Sequence, residues 1–258
     1  MVRRSFILSL ALVSLTTVPA ARAAASFIIA YDDAADSAYN SGWANGSNGG
    51  YGFGAWSHSA LGMFAMGDSN ANGTLGGPGI NVGGRAWQAE LNPGWTGAAA
   101  VRSLGTFGVG DSLEVDVDFG IAPTPGHGVA IFGSSDYCQV QAIGSSSGNL
   151  LINTSATTVV TSIPYSDGGY RVTFDLLSAT SANVTIFSMA SSAAQTLTLA
   201  YVSGSGTQMM SLQTTNPSAG QAVYASRMKI TSPVPEPASM LALGFGLASL
   251  LRRRTARS

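Results

Sequence analysis

The sequence predicts an all-β chain folded as an antiparallel two-sheet β-sandwich of jelly-roll type, and three observations carry that prediction. Residues 112–119 alternate strictly, with Leu113, Val115, Val117 and Phe119 on one side and Glu114, Asp116 and Asp118 on the other. This is the period of a strand with one buried face and one wet face. The pattern recurs at 169–176, with Tyr170, Val172, Phe174 and Leu176 inward, and at 195–201, with Leu197, Leu199 and Tyr201 inward. Composition agrees: 32 glycines and only 10% charged residues in a chain of 258 suit many short strands joined by tight turns, and exclude a helix-rich or disordered chain. Short alternating strands bury their apolar sides most readily as two packed sheets.

Further strands are expected at 26–31, 85–91, 101–107, 128–132, 137–143, 149–153, 157–163, 183–187, 209–213 and 223–230. Gly, Asn, Ser and Asp clusters separate them as turn signals. No helix longer than a turn or two is needed between them. A single domain over residues 24–231 follows, since all-β units of this length are common.

The formal net charge of -1 hides an asymmetry. Arg3, Arg4 and Arg22 stand near the start and Arg252, Arg253, Arg254 and Arg257 near the end. The middle keeps five cations, Arg85, Arg102, Arg171, Arg227 and Lys229, against twelve acids, a balance of -7. Such a surface argues against a nucleic-acid partner, which needs a basic footprint to displace condensed counterions. It suits solubility outside the cell. The lone Cys138 allows no internal disulfide, so stability rests on burial. Its alternating neighbours Tyr137, Gln139 and Val140 mark a strand cysteine, with no His beside it to favour a thiolate.

The two ends read as addresses. Arg3 and Arg4 precede an apolar run over 6–15, and Pro19-Ala20-Ala21-Arg22-Ala23 closes it with small residues. The run is well short of the ~20 residues that span a bilayer. Residues 1–23 are therefore expected to be a signal peptide cleaved after Ala23 by signal peptidase. At the other end, three prolines within 232–237 stop regular structure. An uncharged apolar stretch follows over 238–251, expected to be a helix that inserts transiently into the inner membrane, and then Arg252, Arg253 and Arg254, which mark the cytoplasmic side.

This order, Pro235-Glu236-Pro237, a short apolar helix and an arginine cluster, resembles the PEP-CTERM sorting signal of Gram-negative bacteria, placed here at 232–258. The resemblance implies recognition by an exosortase that cuts near Pro235, Glu236 and Pro237 and passes the protein to the cell surface or an extracellular polysaccharide matrix. The stretch 31–56, with Trp43-Ala44-Asn45-Gly46 and Gly52-Phe53-Gly54-Ala55-Trp56, is similar to the opening of PEP-CTERM proteins that carry a concanavalin-like sandwich. That likeness implies a fold and assigns no catalytic residue.

The chain is read as non-enzymatic, without cofactor or assigned metal. The rival enzyme reading is a glycoside hydrolase: Glu114-x-Asp116-x-Asp118 resembles the carboxylate strand of laminarinase-like enzymes, where alternate side chains supply acid and nucleophile ~5–5.5 Å apart. The third position is Asp, one methylene shorter, so the expected role is a solvated strand face. Asp68-Ser69-Asn70-Ala71-Asn72-Gly73 matches half of a calcium loop, but position twelve is Gly79 instead of a bidentate acid, and a turn is expected. Asp32, Asp33 and Asp36 are expected to do turn chemistry. His58 and His127 lack partners at ligand or triad spacing and are expected in loops or at strand edges. Trp43, Trp56, Trp87 and Trp95 are expected to fill the core, the alternative being stacking on sugars.

Overall fold

The computed structural model describes residues 25–71, 79–91, 97–120, 127–133, 136–142, 148–201, 208–214 and 222–234. The signal segment with Ala23, the expected tail helix, Pro235, Glu236, Pro237, Arg252, Arg253 and Arg254 lie outside those residues.

Strong alternation becomes strand pairing almost everywhere it occurs. The strands are β1 (Ser26–Asp33), β2 (Ser57–His58), β3 (Gly62–Gly67), β4 (Ala86–Leu91), β5 (Ala98–Ser103), β6 (Ser112–Phe119), β7 (His127–Phe132) and β8 (Tyr137–Ala142). They continue with β9 (Asn149–Thr154), β10 (Thr158–Pro164), β11 (Tyr170–Ser178), β12 (Ser181–Ser188), β13 (Ala194–Ala200), β14 (Met209–Thr214) and β15 (Ala222–Pro233). Eight form one sheet in the order β13-β12-β11-β6-β15-β4-β3, with β1 also on β15; seven form the other, β10-β9-β8-β7-β14-β5-β2. All pairings are antiparallel, including those that insert β14 between β5 and β7 and β15 between β4 and β6. This is the sandwich the alternation predicts.

The core lies between the sheets. Leu113, Val115, Val117 and Phe119 of β6 are fully buried there, as are Tyr170, Val172 and Phe174 of β11. Cys138, Val140 and Ala142 of β8 face them, and burial pushes the Cys138 thiol up to about 12, so it is a packed apolar group with no thiolate character.

Three expectations need correction. The strand expected at 101–107 runs instead over Ala98–Ser103, because an Ala-Ala-Ala run has low β-propensity and gives little signal, although its backbone pairs with β14. Strands β2 and β3 were not expected: Gly62-Met-Phe-Ala-Met-Gly67 has glycines at both ends and no β-branched residue, yet it pairs along its length with β4. The wet face assigned to β6 is not wet. Asp116 and Asp118 are buried, and the Glu114 side chain keeps only 17% of its exposure. Neighbouring strands and an overlying turn cover that outer face, which alternation within one strand cannot report.

The long β15 pairs with β6 on one side; on the other its start pairs with β4 and its end with β1. Ser26 stands opposite Pro233, so the first and last residues of the sandwich leave from one edge of one sheet. The segment after β1 returns against that strand. A Cβ at Gly50 (φ +64) would stand 1.9 Å from the Tyr31 carbonyl oxygen, an approach only glycine permits.

Candidate functional site

The outer faces of the two sheets differ in chemistry. Across the eight-stranded sheet, cross-strand register brings acids and bases together: Arg171 Nε lies 2.9 Å from Asp116 Oδ1 and 3.2 Å from Glu114 Oε1, Arg227 Nη2 2.5 Å from Asp116 Oδ2, and Lys229 Nζ 3.0 Å from Glu114 Oε1. Two acids of β6 are thus held between bases of β11 and β15. Both carboxylates are ion-paired and mostly buried, with side-chain exposures of 17% for Glu114 and 6% for Asp116.

Asp118, next on the same face, has no exposure and no hydrogen-bond partner for either oxygen. Burial and the neighbouring Asp167 push its carboxyl up to about 8. A substrate cannot reach a fully enclosed Asp118, so the three carboxylates do not form the accessible pair that glycoside hydrolysis requires.

The outer face of the seven-stranded sheet bears no charge. The one ionised residue on its strands, Arg102, sits at an inward position. Register sorts the outward side chains into rows. One row carries Tyr137, Phe132 and Met209, with the Tyr137 and Phe132 rings 6.2 Å apart. The next runs Asn153, Gln139, Ala130, Ser211 and Val101, and the third Leu151, Gln141, Gly128, Gln213 and Ala99.

Amides bond across these rows. Gln139 Nε2 donates to Gln213 Oε1 at 3.1 Å, Asn153 Nδ2 to Gln141 Oε1 at 2.6 Å, and Thr158 Oγ1 to Asn153 Oδ1 at 2.8 Å. The Gln139 amide reaches Gln213 only because position 128 is glycine: a Cβ there would lie 2.7 Å from Gln139 Nε2. Ser211, in the centre of the sheet, is fully buried with its hydroxyl unpartnered. Each primary amide has more donors and acceptors than these bonds use. A neutral surface of part-buried amides beside an aromatic pair has the chemistry to bond hydroxyls and to stack C–H faces, while the Ser211 hydroxyl beneath it is out of a ligand's reach.

A third constellation lies inside. Arg102 Nη1 contacts Asp32 Oδ2 at 2.5 Å with both side chains fully buried, Nε donates to the Gly54 carbonyl at 3.0 Å and Nη2 to Asn48 Oδ1 at 2.9 Å. The guanidinium lies 4.8 Å from the ring centres of Phe53 and of Trp56. Tyr39 donates its hydroxyl proton to Asp32 Oδ2 at 2.5 Å and accepts from the Gly49 amide at 3.0 Å. Burial pushes the Asp32 carboxyl up, and the bonds from Tyr39 and Arg102 draw it back in part. This clamp ties β1, β5 and the glycine-rich segment between them. Asp32 was read as turn chemistry and its true partner, seventy positions away, was missed. The available signal was phase, since Arg102 follows Ala98 and Ala100 on the inward side.

Asp33 and Asp36 do perform turn chemistry, accepting from the Ala35 and Ala38 amides at 2.8 Å each. In the half calcium loop, Asp68 Oδ1 accepts from the Asn70 amide at 2.9 Å and from Asn81 Nδ2 at 2.5 Å, while Ser69 Oγ donates to Asn81 Oδ1 at 2.9 Å and accepts from the Ile80 amide at 3.0 Å. Those oxygens staple the loop to itself. Trp43, Trp56 and Trp87 are buried and fill the core, as expected; Trp95 lies outside the described residues.

His58, on the short edge strand β2, stacks on Phe64 at 4.2 Å and meets Trp43 edge-on at 4.6 Å; His127 opens β7 and is fully buried. Burial pushes His58 down from 6.5 to about 4. A histidine kept neutral by the fold contributes stability that is fully present above its unfolded pKa of 6.5 and lost as pH falls toward 4. Thermal melts across that window should therefore fall further with acid in the wild type than in H58Q. Parallel curves would show that the ring ionises freely in the fold.

Residues 233–254 match the PEP-CTERM protein-sorting motif. No curated protein matches the chain. Among solved structures, a protein of unknown function from Shewanella oneidensis MR-1 is similar with a TM-score of 0.52 at 14% identity, over 82% of this chain and 88% of that one. The catalytic domain of an endo-1,3-beta-glucanase (laminarinase) from Thermotoga petrophila RKU-1 gives 0.47 at 6% identity, over 82% and 100%. Lectin II from Ulex europaeus gives 0.41 at 8% identity, over 81% and 98%. The likeness to the Shewanella protein is one of fold.

Proposed function

We propose that this chain is a non-catalytic protein of the cell exterior, exported through its signal peptide, handed to an exosortase by its PEP-CTERM tail, and retained in extracellular polysaccharide by the uncharged face of its seven-stranded sheet. The observation that carries the sorting half is the motif match at 233–254, which begins at the last residue of β15.

The glycan half rests on the contrast between faces. An acidic or phosphorylated polymer would seek bases, yet Arg171, Arg227 and Lys229 lie on the opposite sheet and are paired with acids. The amide face offers no charge, which favours a neutral polysaccharide. The enzyme reading loses support because Glu114 and Asp116 are ion-paired and Asp118 is enclosed.

The test is binding of the purified protein to a panel of neutral polysaccharides. Replacing Tyr137, Gln139 and Gln141 together by alanine should weaken binding at least tenfold, a loss of about 1.4 kcal/mol. Alanine at Arg171, on the other sheet, should leave it unchanged. Binding that is equal in all three proteins, or retention of none of the neutral polymers by the wild type, overturns the assignment of this face.

A further inference from the structure

Asp118 is on the outer side of its sheet, between inward Val117 and Phe119, and yet it has no contact with solvent. Three elements enclose it. On β15 its cross-strand neighbour is Tyr224. On the other side comes the turn between β10 and β11. Tyr165 in that turn donates its hydroxyl to the Phe119 carbonyl at 2.7 Å and the Gly120 carbonyl at 3.2 Å, while a Cβ at Gly169 would lie 3.4 Å from the Val117 carbonyl. The turn is therefore anchored on both sides of Asp118, and Asp167 of that turn, itself buried, is near enough to act on the Asp118 charge. Above lies Ile80, close enough to Gly169 that a Cβ there would meet its Cγ2 at 2.3 Å, in an apolar patch with Ala86, Ala222 and Tyr224. The Asp68–Asn81 staple holds Ile80 in place through the Ile80 amide bond to Ser69 Oγ.

The enclosure thus brings together a carboxylate with two unpartnered oxygens, a second buried carboxylate, and the phenols of Tyr165, Tyr170 and Tyr224. Arg171 and Arg227, on the two strands flanking β6, are committed to Asp116. An enclosed, unpaired carboxylate costs several kcal/mol unless a counter-charge or a proton accompanies it. The side chains identified around Asp118 among the described residues, Asp167, Tyr165, Tyr170 and Tyr224, offer oxygen.

We propose that Asp118 and Asp167 bind a hard divalent cation of the calcium type beneath the Ile80 lid, and that this cation fastens the turn before β11 to the end of β6. Among the described residues no group of three or more acidic, His or Cys side chains is arranged to hold a metal. The pair therefore suits calcium, which accepts main-chain carbonyls and water to complete six to eight oxygen ligands. Zinc would want nitrogen or sulfur. The half calcium loop at Asp68 then serves as the cover of the site and contributes no ligand. The inference is independent of the sorting and glycan readings.

The experiment is a thermal melt of the full-length protein in EDTA and in excess calcium chloride, paired with calorimetric titration of calcium into the folded protein. At roughly a hundredfold excess over Kd, the wild type should gain roughly 5–10 °C and bind one calcium per chain. D118N and D167N should each lose both the gain and the heat of binding, whereas D68N should keep both. If D118N fails to fold, D167N and the wild-type titration decide. The proposal is overturned if calcium gives neither shift nor heat, if the response survives in D167N, or if D118N melts higher than the wild type in EDTA and calcium has no effect. That last result would show that the two acids share a proton.

Discussion

Replacing Arg102 by alanine is expected to cost about 3–5 kcal/mol of unfolding free energy, the range for removing one member of a buried ion pair. The substitution strands Asp32, which has no exposure and whose Oδ1 already lacks a partner. It also removes the donors to the Gly54 carbonyl and Asn48 and the cation between the Phe53 and Trp56 rings. Urea denaturation should show the midpoint falling with little change in slope. R102K should recover only part of the loss, since an ammonium cannot reach a carboxylate, a carbonyl and an amide oxygen with one planar fork. Pairing R102M with D32L should be less damaging than R102A alone, because two apolar groups leave no charge behind. A cost under about 1 kcal/mol for R102A would mean that the clamp does not hold the glycine-rich segment.

The contrast between Arg102 and Arg171 shows where sequence stops informing. β6, β11 and β13 are legible because their alternation is a local property, and local patterns need no partner. The Asp32–Arg102 pair spans seventy positions and depends on β1 and β5 lying in different sheets, so neither residue announces the other. Enclosure of Asp118 is equally non-local, since it is produced by a turn from the 160s and by Ile80 meeting over β6. For the same reason the amide face of the seven-stranded sheet could not be seen beforehand. Gln139, Gln141 and Gln213 look like ordinary outward polar residues until register sets them beside Asn153 and Ser211. The tail is the opposite case: its signal is the linear order of Pro-Glu-Pro, apolar run and arginines, which needs no folding to be read.

Ending the chain after Val234 should separate folding from sorting completely. The sheet is complete at Pro233, whose partner is Ser26, and every strand pairing of the sandwich lies upstream of the removed residues. The truncated protein should therefore melt within about 1–2 °C of the full-length chain, since every strand pairing among the described residues is kept. In a host that carries an exosortase it should no longer be held at the envelope before release. The sharper variant keeps the apolar run and Arg252, Arg253 and Arg254 and changes only Pro235, Glu236 and Pro237 to alanine. Membrane insertion by hydrophobicity and flanking charge should survive. Cleavage should not, because the variant lacks the Pro235-Glu236-Pro237 recognition sequence and its alanines permit helix where Pro235 and Pro237 disfavour it. The checks are the intact mass of the exported protein and its distribution between membrane and exterior fractions. The wild type should lose the mass of its tail while the alanine variant accumulates as membrane-bound precursor. A variant processed like the wild type, or a wild type that keeps its tail outside the inner membrane, would remove the exosortase from the account and leave the apolar run as a plain anchor.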